Sequence, residues 1–397
     1  MNNLSSHVLR LAGLSGLGLL LATLPCRSQE PERPRTAAAM LQMQWSRGRA
    51  EGKGPVKLVT FPLRLEDIAY LRPLGLMAGG HVTPSDHLYL FPKESKGRES
   101  LYDVLAVADG HIVVLQWRPN PPGGQPDPTV FDRAVDLKVV IEHSATCWSY
   151  VDHLAAVEEP ILKQVGQPVK PGQPVHARIP VKGGQVIGKI GVQSFDFALV
   201  DTNVTRKGFV APEQFLGRDP WKLHTADPFD YVDEPLRSCL LALNPRKTKP
   251  LGGEIGYDID GRLVGNWYRE NTGGYAGLNK RLDYWVGHLS IVYHYIDPTQ
   301  IIVSIGDFDG RPRQFQVRGN RPGPANVAQA DGPVKYELIA PRTSDQTGKP
   351  LPDFEERFFG VLLVHLLDGR KLRVEVFSGK TAEEVKGFTP AALIYER

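Results

Sequence analysis

The sequence predicts a mainly β protein of two domains, and three observations carry that prediction. Of its 397 residues, 40 are glycine and 33 proline, which favours many turns over long helices. The apolar segments are short and rich in β-branched residues, as in AVDLKVVIEH (134–143) and PVKYELI (333–339). Asp-Gly pairs at 260–261, 309–310 and 368–369 each lie between apolar runs, and both residues tolerate the positive φ of a tight hairpin. The length exceeds that of a usual single domain, and a hydrophobic content of 41% is enough to form real cores.

The chain opens with Arg10 and an uncharged apolar run from Leu11 to Leu24. That run is too short to span a bilayer as a helix but suits the core of a signal peptide. Residues 1–28 are therefore expected to direct export to the periplasm or cell surface, with no transmembrane span left in the mature chain. An uncleaved anchor is the other reading of the same run. Cys26 follows it, but Thr23-Leu24-Pro25 fits lipid attachment badly, since small residues are expected just before the cysteine. Loss of the segment removes Arg10 and Arg27 and no acid, so the net charge of +3 falls by two to +1. A nearly neutral protein has no electrostatic case for binding nucleic acid. Cys147 and Cys239 would then be the remaining cysteines, and sequence leaves open one disulfide or two buried thiols.

Residues 29–56, rich in Pro, Arg, Glu and Gly, read as a flexible linker with a short helical piece around Ala37–Trp45. A first domain follows over 57–238. The stretch RPNPPGGQPDP (118–128) breaks its strands, because proline lacks the ladder donor, and predicts a long exposed loop. DPFDYVDEPLRSCLLALNP (227–245) predicts a short closing helix, and PRKTKP a linker. The second domain, 250–397, contains the Asp-Gly pairs, LSIVYHYI (289–296) and PVKYELI, and reads as an antiparallel barrel or sandwich. Its aromatics, among them Trp267, Tyr268, Tyr284, Trp285, Tyr293, Tyr295 and Phe315, are read mainly as core, with a ligand groove as the sharper alternative.

Four segments of the first domain share one further pattern. They are GHVTPSDHLYL (80–90), VVIEHSATCWSYVDHL (139–154), GQPVKPGQPV (166–175) and GGQVIGKIG (183–191). Together they resemble the core of the lysostaphin-type zinc peptidases, which cut peptidoglycan cross-links. The resemblance covers residues 75–205, roughly a third of the chain. It implies a lipoyl-like, duplicated-hybrid-motif β domain over 57–238, zinc as the cofactor, and peptidoglycan or an envelope protein as the partner. The oligomeric state is left open.

In that family the metal ligands come from an H-x-x-x-D motif and the last His of H-x-H, and the His of Y-x-H-L assists the chemistry. Here the resemblance implies His81, Asp86 and Asp196 as metal ligands and His153 as the catalytic group. Each element departs from the pattern. Asp86 lies five residues after His81 rather than four, and His87 offers an alternative nitrogen if the register slips by one. Tyr150-Val151-Asp152-His153-Leu154 has one residue more between Tyr and His. Asp196 stands where the family has a metal-binding His, and Ser194 where it has a catalytic one. Two carboxylates would weaken the Lewis acidity of the metal, and loss of a positioned acid–base group costs about a hundred- to ten-thousand-fold in rate.

The expectation is therefore an exported envelope protein whose peptidase-like domain has lost full catalytic equipment and binds peptidoglycan or an envelope partner. An active zinc endopeptidase with a modified site, and a purely structural envelope module, are the other readings. No G-x-S-x-G elbow, phosphate loop, dinucleotide fingerprint or C-x-x-C pair occurs in a supporting context. The Gly-Gln turns at 166–185 resemble lipoyl carriers, but Lys170 and Lys182 lack the setting of a modifiable lysine.

Overall fold

The computed structural model describes residues 36–93, 102–118, 136–190, 195–278, 283–342, 349, 356–368 and 370–397. Residues 1–28, expected from sequence to direct export, most of the 118–128 loop and Ser194 lie outside the described residues. The protein is mainly β, built from antiparallel sheets and one closed eight-stranded barrel. No described helix is long and apolar enough to cross a membrane.

The first ten strands are β1 (Ile68–Arg72), β2 (Leu88–Pro92), β3 (Tyr102–Leu105), β4 (Gly110–Trp117), β5 (Leu137–Glu142), β6 (Cys147–Leu154), β7 (Ala156–Val157), β8 (Val175–Val181), β9 (Val186–Ile190) and β10 (Phe195–Asp201). They form a seven-stranded sheet in the order β1-β2-β10-β6-β5-β4-β8 and a smaller sheet in the order β3-β9-β7. Side chains alternate across the large sheet with period two. Val139, Ile141, Val151, Phe197 and Leu199 enter a core shared with Val104, Ile187 and Ile190 of the small sheet. Their neighbours Val140, Trp148, Tyr150, Ala198 and Val200 point the other way, against Leu41 and Trp45. These two belong to helix α1 (Ala37–Ser46), so part of the stretch read as a linker covers the sheet's second face. Burial on both faces explains why β5, β6 and β10 lack a clean polar–apolar alternation.

The barrel comprises β11 (Gly265–Arg269), β12 (His288–Tyr293), β13 (Ile301–Phe308), β14 (Arg311–Val317), β15 (Val334–Ile339), β16 (Phe358–Leu367), β17 (Lys371–Ser378) and β18 (Leu393–Glu396). Of the two architectures expected, the closed barrel is the one found. The pairs at 309–310 and 368–369 mark the β13–β14 and β16–β17 hairpins, with Asp309 at φ 52° and Gly310 at φ 83°. Asp260-Gly261 turns the chain ahead of β11 instead. Trp267, Tyr268 and Phe315 are fully buried, so they are core.

The closing helix α2, Leu236–Leu243, lies within the predicted stretch. (A shorter helical turn, Glu159–Val165, precedes it.) After it the chain does not loosen. Arg246 is buried, and its guanidinium donates to the carbonyls of Pro250 (2.7 Å) and Tyr295 (2.6 Å), the latter just beyond β12. Leu74 forms a bridge with Gly253. Arg35–Arg397 is accordingly one compact unit rather than two loosely tethered ones. Cys147 and Cys239 are both free; Cys147 is buried, which pushes its thiol up and out of reactive range, while Cys239 is exposed.

Where the sheet meets the barrel, His288 is buried against the rings of Tyr268, Tyr275 and Tyr284 and bonds the Tyr275 carbonyl at 3.1 Å. Burial, with Lys222 and Arg218 adding positive charge nearby, pushes its pKa down to about 3. A folded-state pKa below the unfolded value means the unfolded chain binds the extra proton, so stability present above pH 6.5 is lost as the pH falls towards 3. At pH 4.5 the expected loss is roughly 2–3 kcal/mol. Urea unfolding of wild type and His288→Gln at pH 7 and 4.5 tests it; equal pH dependence in the two proteins would refute the assignment.

A histidine and aspartate cluster on the sheet face

Strand parity places the site. Asp196 sits between Phe195 and Phe197, both of which face the core, so its carboxylate emerges on the opposite face. The register sets Asp196 against Tyr89 of β2 on one side and Asp152 of β6 on the other. His87 lies two residues before Tyr89 and shares its face, and its ring centroid is 4.8 Å from that of Tyr89. Its Nε2 stands 3.3 Å from Asp196 Oδ2.

The extra residue in the Tyr150–His153 stretch is absorbed by a bulge. Leu137 pairs with Leu154 and Val139 with Val151, so two residues of β5 span three of β6. His153 takes φ 72°, an uncommon conformation for a non-glycine residue, and this turns its ring to the Asp196 side. Its Nε2 lies 3.1 Å from Asp196 Oδ2, and its Nδ1 lies 3.0 Å from Asp136 Oδ1. Arg118 braces this pair, 3.1 Å from Asp136 and 3.4 Å from Asp152, and Lys138 adds a second cation 3.4 Å from Asp152.

Asp86 points elsewhere. It accepts hydrogen bonds from Tyr150 Oη (2.9 Å) and Trp221 Nε1 (2.5 Å) and pairs with Lys222 at 3.5 Å. Although burial alone would raise its pKa, the Lys222 charge, then His87 and the Tyr150 hydroxyl, hold the carboxyl well below its usual range. The structure therefore brings His87, Asp196 and His153 together, and Asp86 meets the other nitrogen of the His87 ring, its Oδ1 3.7 Å from Nδ1. His81 is exposed at the rim, its ring centroid 5.4 Å from that of His87. Crowding by the surrounding protein, then the charge of His87, pushes it down to about 4, which leaves a neutral imidazole at pH 7. His143 is satisfied locally, by the Asp109 carbonyl at 2.9 Å and Ser149 Oγ at 2.8 Å.

Electrostatics in the cluster follow from Asp196. Burial would push His87 and His153 down, but Asp196 outweighs it; His87 is raised, and His153 is raised to about 9 with Asp136 contributing. Burial would raise Asp136, yet its bond to His153 and the Arg118 charge bring it down to about 2. Asp136 and Arg118 were not singled out from sequence. Asp136 directly precedes a strand and Arg118 ends one, beside the proline-rich loop, and no spacing rule marks either position.

His87 Nε2 and Asp196 Oδ1 are buried without a hydrogen-bond partner. Two imidazoles and a carboxylate are a zinc set, and two donors bound at about 2.0–2.1 Å in a tetrahedron stand about 3.3 Å apart, the spacing of His87 and Asp196. Among the described residues, no three His, Cys, Asp or Glu already converge on one metal position. Two clefts lie elsewhere: one of about 970 Å³ along Arg206, Tyr257 and Tyr293, and one of about 690 Å³ along Glu142, His143 and Arg178.

No protein-family model and no curated protein matches the chain. Among solved structures, it is similar to the NMR solution structure of lysostaphin, with 16% identity and a TM-score of 0.24, over 65% of this chain and 91% of that one. Likeness at that level carries no argument about the site, whose reading rests on its own geometry.

Proposed function

We propose that the cluster is a zinc site of a lysostaphin-type hydrolase in which the acidic and imidazole ligands have exchanged strands. His81, His87 and Asp196 would hold the metal. The observation that supports this is the approach of the buried His87 Nε2 to Asp196 Oδ2 at 3.3 Å, with Asp196 Oδ1 buried and without a hydrogen-bond partner. The exchange keeps two imidazoles and one carboxylate, so it removes the penalty expected of a two-carboxylate set. When bound, zinc supplies Lewis acidity and an activated water. His153, its Nδ1 held by Asp136, presents Nε2 to the same face, the orientation a proton-transferring imidazole needs. Arg118 pairs with Asp136 and helps hold the carboxylate that fixes that ring. The substrate class would be the peptide cross-links of peptidoglycan, met outside the cytoplasm.

A second reading is a binding module without hydrolysis. It is favoured by Ser194, which offers no imidazole where the resembling family has its second catalytic histidine, and by Asp196 already lying within reach of both His87 and His153. Metal analysis of the purified protein together with release of soluble fragments from cell-wall material separates the two. One zinc per chain and release that chelation stops supports the hydrolase. Wall binding that is indifferent to chelation, without release, supports the module. Absence of zinc after incubation with the metal refutes the site.

A further inference from the structure

We propose that the cleft along Arg206, Tyr257 and Tyr293 is a binding site for an uncharged oligosaccharide. The site is separate from the histidine and aspartate cluster and does not depend on that cluster taking a metal. Its walls are the loops at 204–208 and 227–231, the connection at 250–259, and the barrel through Tyr293 and Ala325. The volume of about 970 Å³ lies at the upper end of the roughly 300–1,000 Å³ range of ligand pockets. The cleft is also pre-formed. The backbones at Gly208 and Gly256 pack so closely that a side chain on either would collide with the facing chain, and the Asp258 N–H donates to the Gly208 carbonyl at 2.9 Å. Walls locked in this way need little ordering when a ligand binds.

Two kinds of surface meet inside it. The rings of Tyr257 and Tyr293 stand 6.3 Å apart at 56°, two adjoining flat walls, and Ile259 adds an exposed aliphatic side chain. Beside them lie uncommitted donors and acceptors. Arg206 donates from Nε to the Thr225 carbonyl at 2.7 Å, but its Nη1 meets Glu254 Oε1 only at 3.8 Å, and the buried Nη2 has no hydrogen-bond partner. Unspent guanidinium hydrogens in a protein wall call for an acceptor. Glu254 takes the N–H groups of Ile255 and Gly256 on Oε1, which leaves Oε2, and Lys207 and Asp230 are exposed. The other two acids are already used by the fold: Asp227 accepts from the N–H groups of Phe229 and Gly252, and Asp258 from those of Val210 and Asn266. The charges left for a ligand are two cations, Arg206 and Lys207, against two carboxylates, Asp230 and Glu254. A carboxylate or an ammonium would therefore meet repulsion as well as attraction. A pyranose avoids this. Its weakly positive C–H faces suit the negative faces of the tyrosine rings, and each hydroxyl both donates and accepts, which matches guanidinium and carboxylate side by side.

Saturation-transfer difference NMR on the full-length protein tests the assignment, with chitotetraose, cellotetraose and maltotetraose as sugars and tetra-alanine as a peptide probe. At least one sugar is expected to bind, with the strongest saturation at its ring C–H protons. Tyr293→Ala and Arg206→Gln are each expected to weaken that binding by about tenfold. Tyr293 also packs on the barrel core, so Ala325→Trp supplies an independent arm. Ala325 is half-buried in the cleft wall, and an indole there fills the site without deleting a contact; it is expected to abolish binding in a protein that melts as wild type does. A folded Ala325→Trp variant that binds sugar like wild type would overturn the proposal. So would unchanged binding in both Tyr293→Ala and Arg206→Gln, binding of tetra-alanine in place of every sugar, or no binding by any of these probes. None of these results bears on the zinc reading, which stands or falls on metal analysis.

Discussion

Replacing Asp86 with alanine is expected to destabilise the protein by about 3–5 kcal/mol and, on the proposed ligand set, to leave zinc binding by the folded molecules unchanged. The carboxylate is buried and engaged by Tyr150, Trp221 and Lys222. Lys222 is itself buried, and its other bond is to the Pro84 carbonyl at 2.8 Å. Deleting Asp86 therefore strands an ammonium away from water without its counter-charge. Such a deletion is far costlier than loss of an exposed ion pair, because the desolvation of the surviving charge is no longer offset. The Tyr150 hydroxyl and the Trp221 indole N–H lose their acceptor at the same time, adding to the penalty. Urea unfolding gives the stability change, and metal analysis of the folded fraction gives the stoichiometry. A loss below about 1 kcal/mol accompanied by loss of zinc would return Asp86 to the ligand set.

The contrast between Asp86 and His87 shows how far the sequence could be read. The β architecture was legible because strand signals are local: β-branched runs, Asp-Gly turns at 309–310 and 368–369, proline at breaks. Three of the four motif segments contain β2, β6 or β9, or turns leading into them, while Asp196 lies on β10, outside all four. The choice between adjacent residues was not legible. It depends on which face of β2 a side chain occupies, and that parity is set by the pairing of Tyr89 with Asp196, a contact across more than a hundred residues. The bulge at His153 is similar. An extra residue is visible in the sequence, but whether it loops out or twists the strand is decided by its partner β5. Helix α1 was legible as a short helical piece, but not its place in the fold; a helix this short gains its stability by covering Trp148 and Tyr150, contacts about a hundred residues away. The hydrogen bond from Gln314 Nε2 to the Gly79 carbonyl spans 235 residues and leaves no local trace.

His87→Ala is expected to lower zinc affinity by about a hundred- to a thousandfold. Structural zinc sites release about 10–16 kcal/mol over four ligands, or about 2.5–4 kcal/mol for each, which is that factor in the binding constant. Asp196→Ala should show a similar loss. A sharper test follows from the proposed exchange of ligands. If His87 and Asp196 donate to one metal, the double variant His87→Asp with Asp196→His returns the carboxylate to β2's approach and the imidazole to β10 without changing the donor set. Its zinc affinity is then expected to exceed that of His87→Asp alone by about tenfold or more, because that single swap leaves two carboxylates. The two side chains are 3.3 Å apart, so strong coupling between the substitutions is the physical expectation for a shared ligand. Isothermal titration of the wild type, two single swaps and the double swap completes the cycle. Additive losses would mean that the two residues do not meet at a common ion, and the cluster would then be an ion-pair network that serves the fold.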